Sequence, residues 1–300
     1  MIVPDLITWS FANPAMALTL RTLFESELLS IRHGVARPAP DDSKELECET
    51  ADLVLLPIAG VLAKHDGPKQ HVIANANHAI FLGTGQPYRI TFPGDIGDEA
   101  LVLDFSKEAL MQMLVDAVGV EQLYAPALRP HSLLPPASVL NRELLWRHLH
   151  EPVVNQLAVQ EISVSVLTSS VQAACLDRQQ LQRTRHTQTQ ARRRSQVEAV
   201  KELISLCPQQ EWALDELASH VHASPFHLAR VFREEVGLPV HRYLVRTRLA
   251  RALRAMQASC ADLTQIAHAS GFASHSHFTS SFRSVFGMTP TQSRQRNSTS

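Results

Sequence analysis

The chain has 300 residues, 45% of them apolar, enough for buried cores and for about two domains. Its formal charge of −1 hides an asymmetry: residues 1–176 carry 11 Lys and Arg against 20 Asp and Glu, and residues 177–300 carry 17 against 9. Four widely spaced cysteines exclude a disulfide or zinc framework, and the lack of any run of about eighteen apolar residues excludes a membrane-spanning helix.

From the N-terminus, MIVPDLITWS lacks a basic stretch leading into an apolar run, so no signal peptide is expected and the cytoplasm is the expected compartment. Residues 1–130 read as mostly β. Alternating apolar positions in 17–31, compact runs at 52–56 and 71–80, and short ones at 88–92 and 101–105 are punctuated by Gly, Pro, Asn and Asp. Many short strands of this kind predict a small barrel or sandwich. Residues 107–118 read as a helix with Leu110, Met111, Leu114 and Val118 on one stripe.

After Pro136 the period changes to that of helices. Residues 137–149 carry Leu140, Leu144, Leu145 and Leu149. A longer helix running to about residue 185 carries Leu157, Val164, Leu167, Val171 and Cys175. That stripe packs either on its own barrel or on a second copy. Residues 179–195 are rich in Gln, Arg and Thr and nearly free of apolar side chains, the composition of an interdomain linker. Its Arg192, Arg193 and Arg194 read as a solvated run within reach of phosphate.

Residues 197–207 form an amphipathic helix, with Val197, Val200, Leu203, Ile204 and Cys207 inward. Two similar units follow, about fifty residues apart, and such internal repeats set the architecture. In the first, LDELASHVHASPFHLARVF, Ser224 caps a helix that has Pro225 at its first position and Leu228, Val231 and Phe232 inward. In the second, LTQIAHASGFASHSHFTSSFRSVF, Asp262 and Gln265 form a capping pattern, Gly271 takes the turn and Ser274 caps a helix with Phe278 and Phe282 inward. Between the units, residues 239–256 read as one helix with Val245, Leu249, Leu253 and Met256 buried, and Arg242, Arg246, Arg248, Arg251 and Arg254 outside. At about 1.5 Å per residue it spans roughly 27 Å. Successive major-groove entries lie roughly 34 Å apart, so one rigid spacer of this length sets two helices near adjacent grooves.

These units and the basic helix HRYLVRTRLARALRAM between them resemble the DNA-binding domain of the AraC/XylS family of bacterial transcription regulators, over residues 197–296. The resemblance implies an N-terminal cupin-like β-barrel sensor over 1–130, a helical dimerisation segment over 131–185, a linker over 186–196 and a tandem helix-turn-helix domain over 197–296. The expected fold class is α+β multidomain with an all-α C-terminal domain. The expected function is a transcription regulator, acting as activator or repressor, with double-stranded DNA, RNA polymerase and a homodimeric second copy as partners. A small-molecule effector belongs to the same implication. A constitutive dimeric DNA binder and a metal-dependent cupin enzyme are the alternatives.

Phe226, Ala229 and Arg230 fall at the family's base-facing positions, Arg230 as the guanine reader and Ala229 able only to touch a thymine methyl. On the second helix His275, Ser276, Thr279 and Ser280 face outward. Ser224, Arg233, Ser274 and Arg283 are the phosphate candidates. Trp9, His65, His71, His78 and Tyr88 are candidates to line an effector pocket in a barrel mouth. No metal or cofactor is expected. The His275–His277 pair points apart on its helix, His220 and His222 sit in the turn of the first unit, and His65, His71 and His78 lack the spacing of a cupin metal site.

Overall fold

The computed structural model describes residues 16–38, 46–67, 70–118, 129–175, 188–258 and 261–298. The N-terminal part folds as β1 (Met16–Glu25), β2 (Leu29–Pro38), β3 (Glu47–Cys48), β4 (Leu53–Gly60), β5 (Leu62–Gly67), β6 (Gln70–Ala74), β7 (His78–Leu82), β8 (Pro87–Thr91), β9 (Asp98–Phe105), α1 (Lys107–Val118) and β10 (His131–Leu133). Helices α2 (Pro136–His148) and α3 (Gln156–Ala174) follow. The C-terminal part is all helical: α4 (Gln188–Leu206), α5 (Leu214–His220), α6 (Pro225–Val236), α7 (Val240–Ala258), α8 (Leu263–Ala269), α9 (His275–Phe286) and α10 (Pro290–Ser298).

The expected barrel is not closed. The strands form a six-stranded sheet in the order β1-β2-β9-β4-β7-β10 and a four-stranded sheet in the order β3-β8-β5-β6. The period of two explains how they stack. Leu53 and Leu55 of β4, Ile80 and Leu82 of β7 and Val102 of β9 share one core with Leu62, Ala74 and Tyr88 of the smaller sheet. The intervening Val54, Leu56, Leu101, Leu103 and Phe105 face the other way, onto Val139 and Leu145 of α2 and Val159, Val166 and Val171 of α3. The larger sheet is therefore a middle layer, which is why β4 reads as an unbroken apolar run. Where α2 packs on this layer, its Arg142 and Glu143 are buried as an ion pair at 2.6 Å, and Arg142 donates to the carbonyls of Pro57, at 2.8 Å, and Ala76.

Several expectations change at this level. On α1, Met113 is buried and Met111 lies exposed. On α3 the stripe does pack on its own sheet, but Leu157 is 64% exposed. Residues 188–196, read as linker, are the first turns of α4, a single helix of 19 residues. Arg194 lies 3.6 Å from Glu235, and the segment 179–187 lies outside the described residues.

The helical part is docked on the sheets. Glu198 on α4 accepts from the Ile73 amide at 2.7 Å and from Lys201 at 2.8 Å. Asn75 donates to Ser205 at 2.7 Å and to the Tyr243 hydroxyl at 3.1 Å. Arg246 donates to the Leu134 carbonyl, and the Arg254 guanidinium lies 4.1 Å from the Trp146 ring centroid. Beneath this contact His78 is buried and accepts from the Asn75 amide at 3.2 Å.

Burial, then the charges of Lys201, His131 and Arg246, hold the His78 pKa well below its usual value. His131 is lowered likewise by burial and by Lys201, Arg129, Lys64 and Arg194. Both imidazoles are thus neutral when folded, while the unfolded chain takes up protons below about pH 6.5. Their contribution to stability is complete above that pH and is lost as pH falls, at up to about 1.4 kcal/mol per pH unit for each histidine. Urea unfolding of the full chain between pH 7 and 5 is expected to show this slope, and His78→Gln is expected to make it shallower.

Candidate nucleic-acid interface

The two repeats fold alike down to single hydrogen bonds. Leu217 and Ala218 of α5, and Ile266 and Ala267 of α8, are buried. Each turn is closed by the same bond: the Ala223 amide donates to the Ala218 carbonyl at 2.9 Å, and the Phe272 amide to the Ala267 carbonyl at 3.0 Å. Ser224 caps α6 by accepting from the His227 amide at 3.2 Å, and Ser274 caps α9 by accepting from the His277 amide at 3.1 Å. Both helices end on a left-handed glycine, Gly237 at φ 78° and Gly287 at φ 74°.

The second turn is one residue longer, with Ala273 before its capping serine, and the two differ at the left-handed position. Gly271 has φ 92°, and its counterpart His222 has φ 51°. A Cβ at Gly271 would stand 2.6 Å from Gln209 Cα, so a close approach as well as the backbone angle requires glycine there. At Asp262 the side chain caps α8 through the Thr264 amide at 3.1 Å, and hydrogen bonding from the Thr264 hydroxyl first and its amide second holds the carboxyl below the usual range.

Leu228, Val231 and Phe232 of α6, and Phe278 and Phe282 of α9, are buried. The opposite faces are open. Phe226 is 89% exposed, and Ser224, Arg230 and Arg233 are exposed beside it, while Ala229 is half-buried. On the second unit Ser274, His275, Ser276, Ser280 and Arg283 are exposed. Thr279 is the exception: it is half-buried and its hydroxyl oxygen is shielded from solvent. Ser280 turns its hydroxyl back to the His277 carbonyl at 3.0 Å, and His277 packs edge-on against Phe272.

Arg230 is already engaged, at 2.9 Å and 3.3 Å from the two Glu234 oxygens. Both side chains are about half exposed, and such surface pairs contribute only about 0.3–0.5 kcal/mol. A better acceptor therefore takes the guanidinium away at little cost.

The supporting helix α7 is not the one-sided basic rod that its arginine spacing predicts. Eleven of its 19 residues are buried. Val240, Tyr243 and Leu244 join the core of the first unit with α4, α5 and α6. Val245, Leu249, Leu253 and Met256 join the core that holds α8 and α9 and continues into the sheets. Arg242 and Arg251 remain exposed. Arg246, Arg248 and Arg254 are taken up by Leu134, by the carbonyls of Pro208 and Gln210, and by Trp146.

The effector candidates do not gather in one place. His65 and His71 face each other on β5 and β6, ring centroids 5.5 Å apart, on the outer face of the small sheet, with His65 Nε2 2.9 Å from the Thr91 hydroxyl. Tyr88 lies between the sheets, donates to the Glu49 carboxylate and sits beneath Lys64; burial and Glu49 push its pKa up. His78 lies under the docked helices, and Trp9 is outside the described residues. A cleft of about 330 Å³ opens elsewhere, between the ends of α2 and α7, lined by Trp146, Arg147, His150, Glu151, Arg254 and Gln257. Among the described residues no three His, Cys, Asp or Glu side chains stand together as a metal site.

Residues 217–296 match the model of a helix-turn-helix domain. The chain is 34% identical to the HTH-type transcriptional regulator ArgR of Pseudomonas aeruginosa over 82 residues, 27% of this chain and 25% of that protein. It is 27% identical to the HTH-type transcriptional activator RhaR of Yersinia pseudotuberculosis over 242 residues, 75% of this chain and 81% of that one. A solved transcriptional regulator from Chromobacterium violaceum, described as AraC-type, is 28% identical, covers 35% of this chain and 94% of its own, and superimposes with a TM-score of 0.33.

The two turns make opposite predictions for unfolding midpoints of the full chain in urea. Gly271→Ala is expected to cost about 1–3 kcal/mol, because backbone blocks the new methyl. His222→Gly is expected to change stability by less than about 1 kcal/mol, since relief of the left-handed angle is offset by the extra freedom of unfolded glycine.

Proposed function

We propose that this chain, whose C-terminal third is an AraC-type helix-turn-helix domain, is a sequence-specific DNA-binding transcription regulator that inserts α6 and α9 into successive major grooves. The observation that carries the reading is the exposure of both outward faces, Phe226 included, while Leu228, Val231 and Phe232 of α6 and Phe278 and Phe282 of α9 are buried. A solvated polar face is ordinary, but a bare Phe226 flanked by exposed Arg230 and Arg233 suits a partner with both apolar and anionic groups, and the basic balance of residues 177–300 suits a polyanion.

The roles divide by chemistry. Arg230 reads guanine through its two-pronged edge once Glu234 releases it. Phe226 lays an apolar ring on base edges, and Ala229 offers a thymine methyl a contact but no hydrogen bond. His275, Ser276 and Ser280 supply weaker polar contacts from the second helix. Arg233, Arg283 and the capping hydroxyls of Ser224 and Ser274 hold phosphates, fixing register rather than sequence. Thr279, turned inward, takes no part.

The two facing sheets, a cupin-like arrangement, sense a small effector, and segment 131–185 pairs two copies. The regulator acts in the cytoplasm, touching RNA polymerase at the promoter, and is not an enzyme.

Electrophoretic retardation of duplex DNA by the full chain tests this. Binding is expected to weaken steeply with salt, and Arg230→Ala to weaken the preferred site by about 1–3 kcal/mol while leaving random duplex unchanged. Equal losses on both DNAs would remove Arg230 from base reading, and no retardation at low salt would remove the assignment.

A further inference from the structure

Two helix-turn-helix units on one rod can still rock about it, and something must fix their relative angle if both are to enter one duplex. Their apolar cores do not do so directly. The first unit closes on Val240, Tyr243 and Leu244, and the second on Val245 and the residues after it.

The units meet at Arg248. This side chain is only 7% exposed although it carries a full charge. Its Nε donates to the Pro208 carbonyl at 2.7 Å and its Nη2 to the Gln210 carbonyl at 2.8 Å. Those carbonyls follow the C-terminal end of α4, where unpaired acceptors and the helix dipole favour a cation. The turn of the second unit closes on this same bond: a Cβ at Gly271 would stand 2.9 Å from Arg248 Nε and 3.0 Å from the Pro208 carbonyl oxygen. Three backbone segments thus converge on one flat cation: the loop feeding the first unit, the turn of the second, and α7 itself.

We infer that Arg248 is a positioning residue that sets the angle between the two recognition helices and so fixes the spacing of the two DNA boxes the chain can bind at once. The inference rests on the reading that α6 and α9 enter the same duplex. Arginine suits the joint for two reasons. Its fork reaches two carbonyls at fixed separation, and its plane is thin enough for a glycine turn to close over it. A lysine ammonium reaches one carbonyl at a time. The restraint acts through geometry and not through contact with DNA, since Arg248 is buried and lies on neither recognition face.

The test uses the full chain and a duplex enriched from a random pool by the wild-type protein. Affinity is compared for the enriched spacing, for the same boxes with one or five base pairs inserted, and for each box alone. Wild type is expected to lose about tenfold on one inserted pair, within the usual range of coupling between two sites, and to fall to single-box affinity on five. Arg248→Met and Gly271→Ala are expected to lose about tenfold on the enriched spacing, to keep single-box affinity, and to respond little to the one-pair insertion. Arg248→Lys keeps the charge and serves if the methionine variant does not fold; it is expected to behave like the others. If the boxes come in pairs and these variants keep the wild-type spacing profile, or lose single-box affinity in parallel, Arg248 does not set the spacing. If wild type enriches one box with no second at a fixed distance, the tandem reading itself falls, and this inference with it.

Discussion

Helix α7 is buried on more than one side, and the rest of the molecule is arranged around that fact. A surface helix shows one apolar stripe; a helix covered on several sides must satisfy each of them. Here one side belongs to the first helix-turn-helix core, another to the second, and a third meets α2 and β4 of the N-terminal part. The arginines that would otherwise keep it wet are matched to fixed acceptors. Burial pushes the Arg246 pKa down to about 10 and lowers that of Arg248, yet both stay charged at neutral pH and donate to backbone carbonyls. Charged donors on neutral acceptors form strong hydrogen bonds, and removing them would leave those carbonyls buried and unpaired.

The docked arrangement has a consequence for recognition. The N-terminal sheets grip α4 and α7 and press α2 against α9, but they leave Phe226, Arg230, His275 and Ser276 uncovered. Contact between the two parts therefore bears on how the recognition helices are oriented and not on whether their outward faces are accessible. Polar bonds are set into an apolar contact that runs from the sheets into α7, α8 and α9: Asn75, Ser205 and Tyr243 satisfy one another, and Glu198 serves both an amide and a lysine. Polar contacts of this kind depend on geometry more than apolar area does, so a shift in the β6–β7 turn is felt at Tyr243 and hence along α7.

The repeat was legible in the sequence because its signals are local. Caps at Ser224 and Ser274, glycine at 237, 271 and 287, and apolar residues at spacings of three and four fix each unit without reference to distant parts of the chain. β4, β8 and β9 were legible for the same reason, whereas the runs read at 17–31 and 71–80 each span parts of two strands, β1 with β2 and β6 with β7, and β3 and β5 were not read. What failed depends on long-range register. Arg246, Arg248 and Arg254 read as outward because charge on a helix is usually solvated; only the fold brings Leu134, Pro208 and Trp146 to them. Arg142, between leucines read as the buried stripe of its helix, gave no sign that it was fully buried itself. Residues 188–196 lack apolar side chains, yet Gln, Arg and Ala are good helix formers and Val197 onward anchors the helix. The proposed effector residues stand apart: His65 and His71 pair across β5 and β6, Tyr88 lies between the sheets, and His78 packs near Tyr243 at the docked helices, which is visible only once the strand pairing is known.

Amide hydrogen exchange of the full chain across a denaturant series tests the shared role of α7 most directly, because it resolves which segments open together. If one helix binds all three parts, amides of residues 243–253 share a single opening free energy and denaturant dependence with those of α6, α9 and β9. The account is contradicted if residues 188–298 open as a separate unit, with a smaller denaturant dependence, while β4 and β9 stay closed.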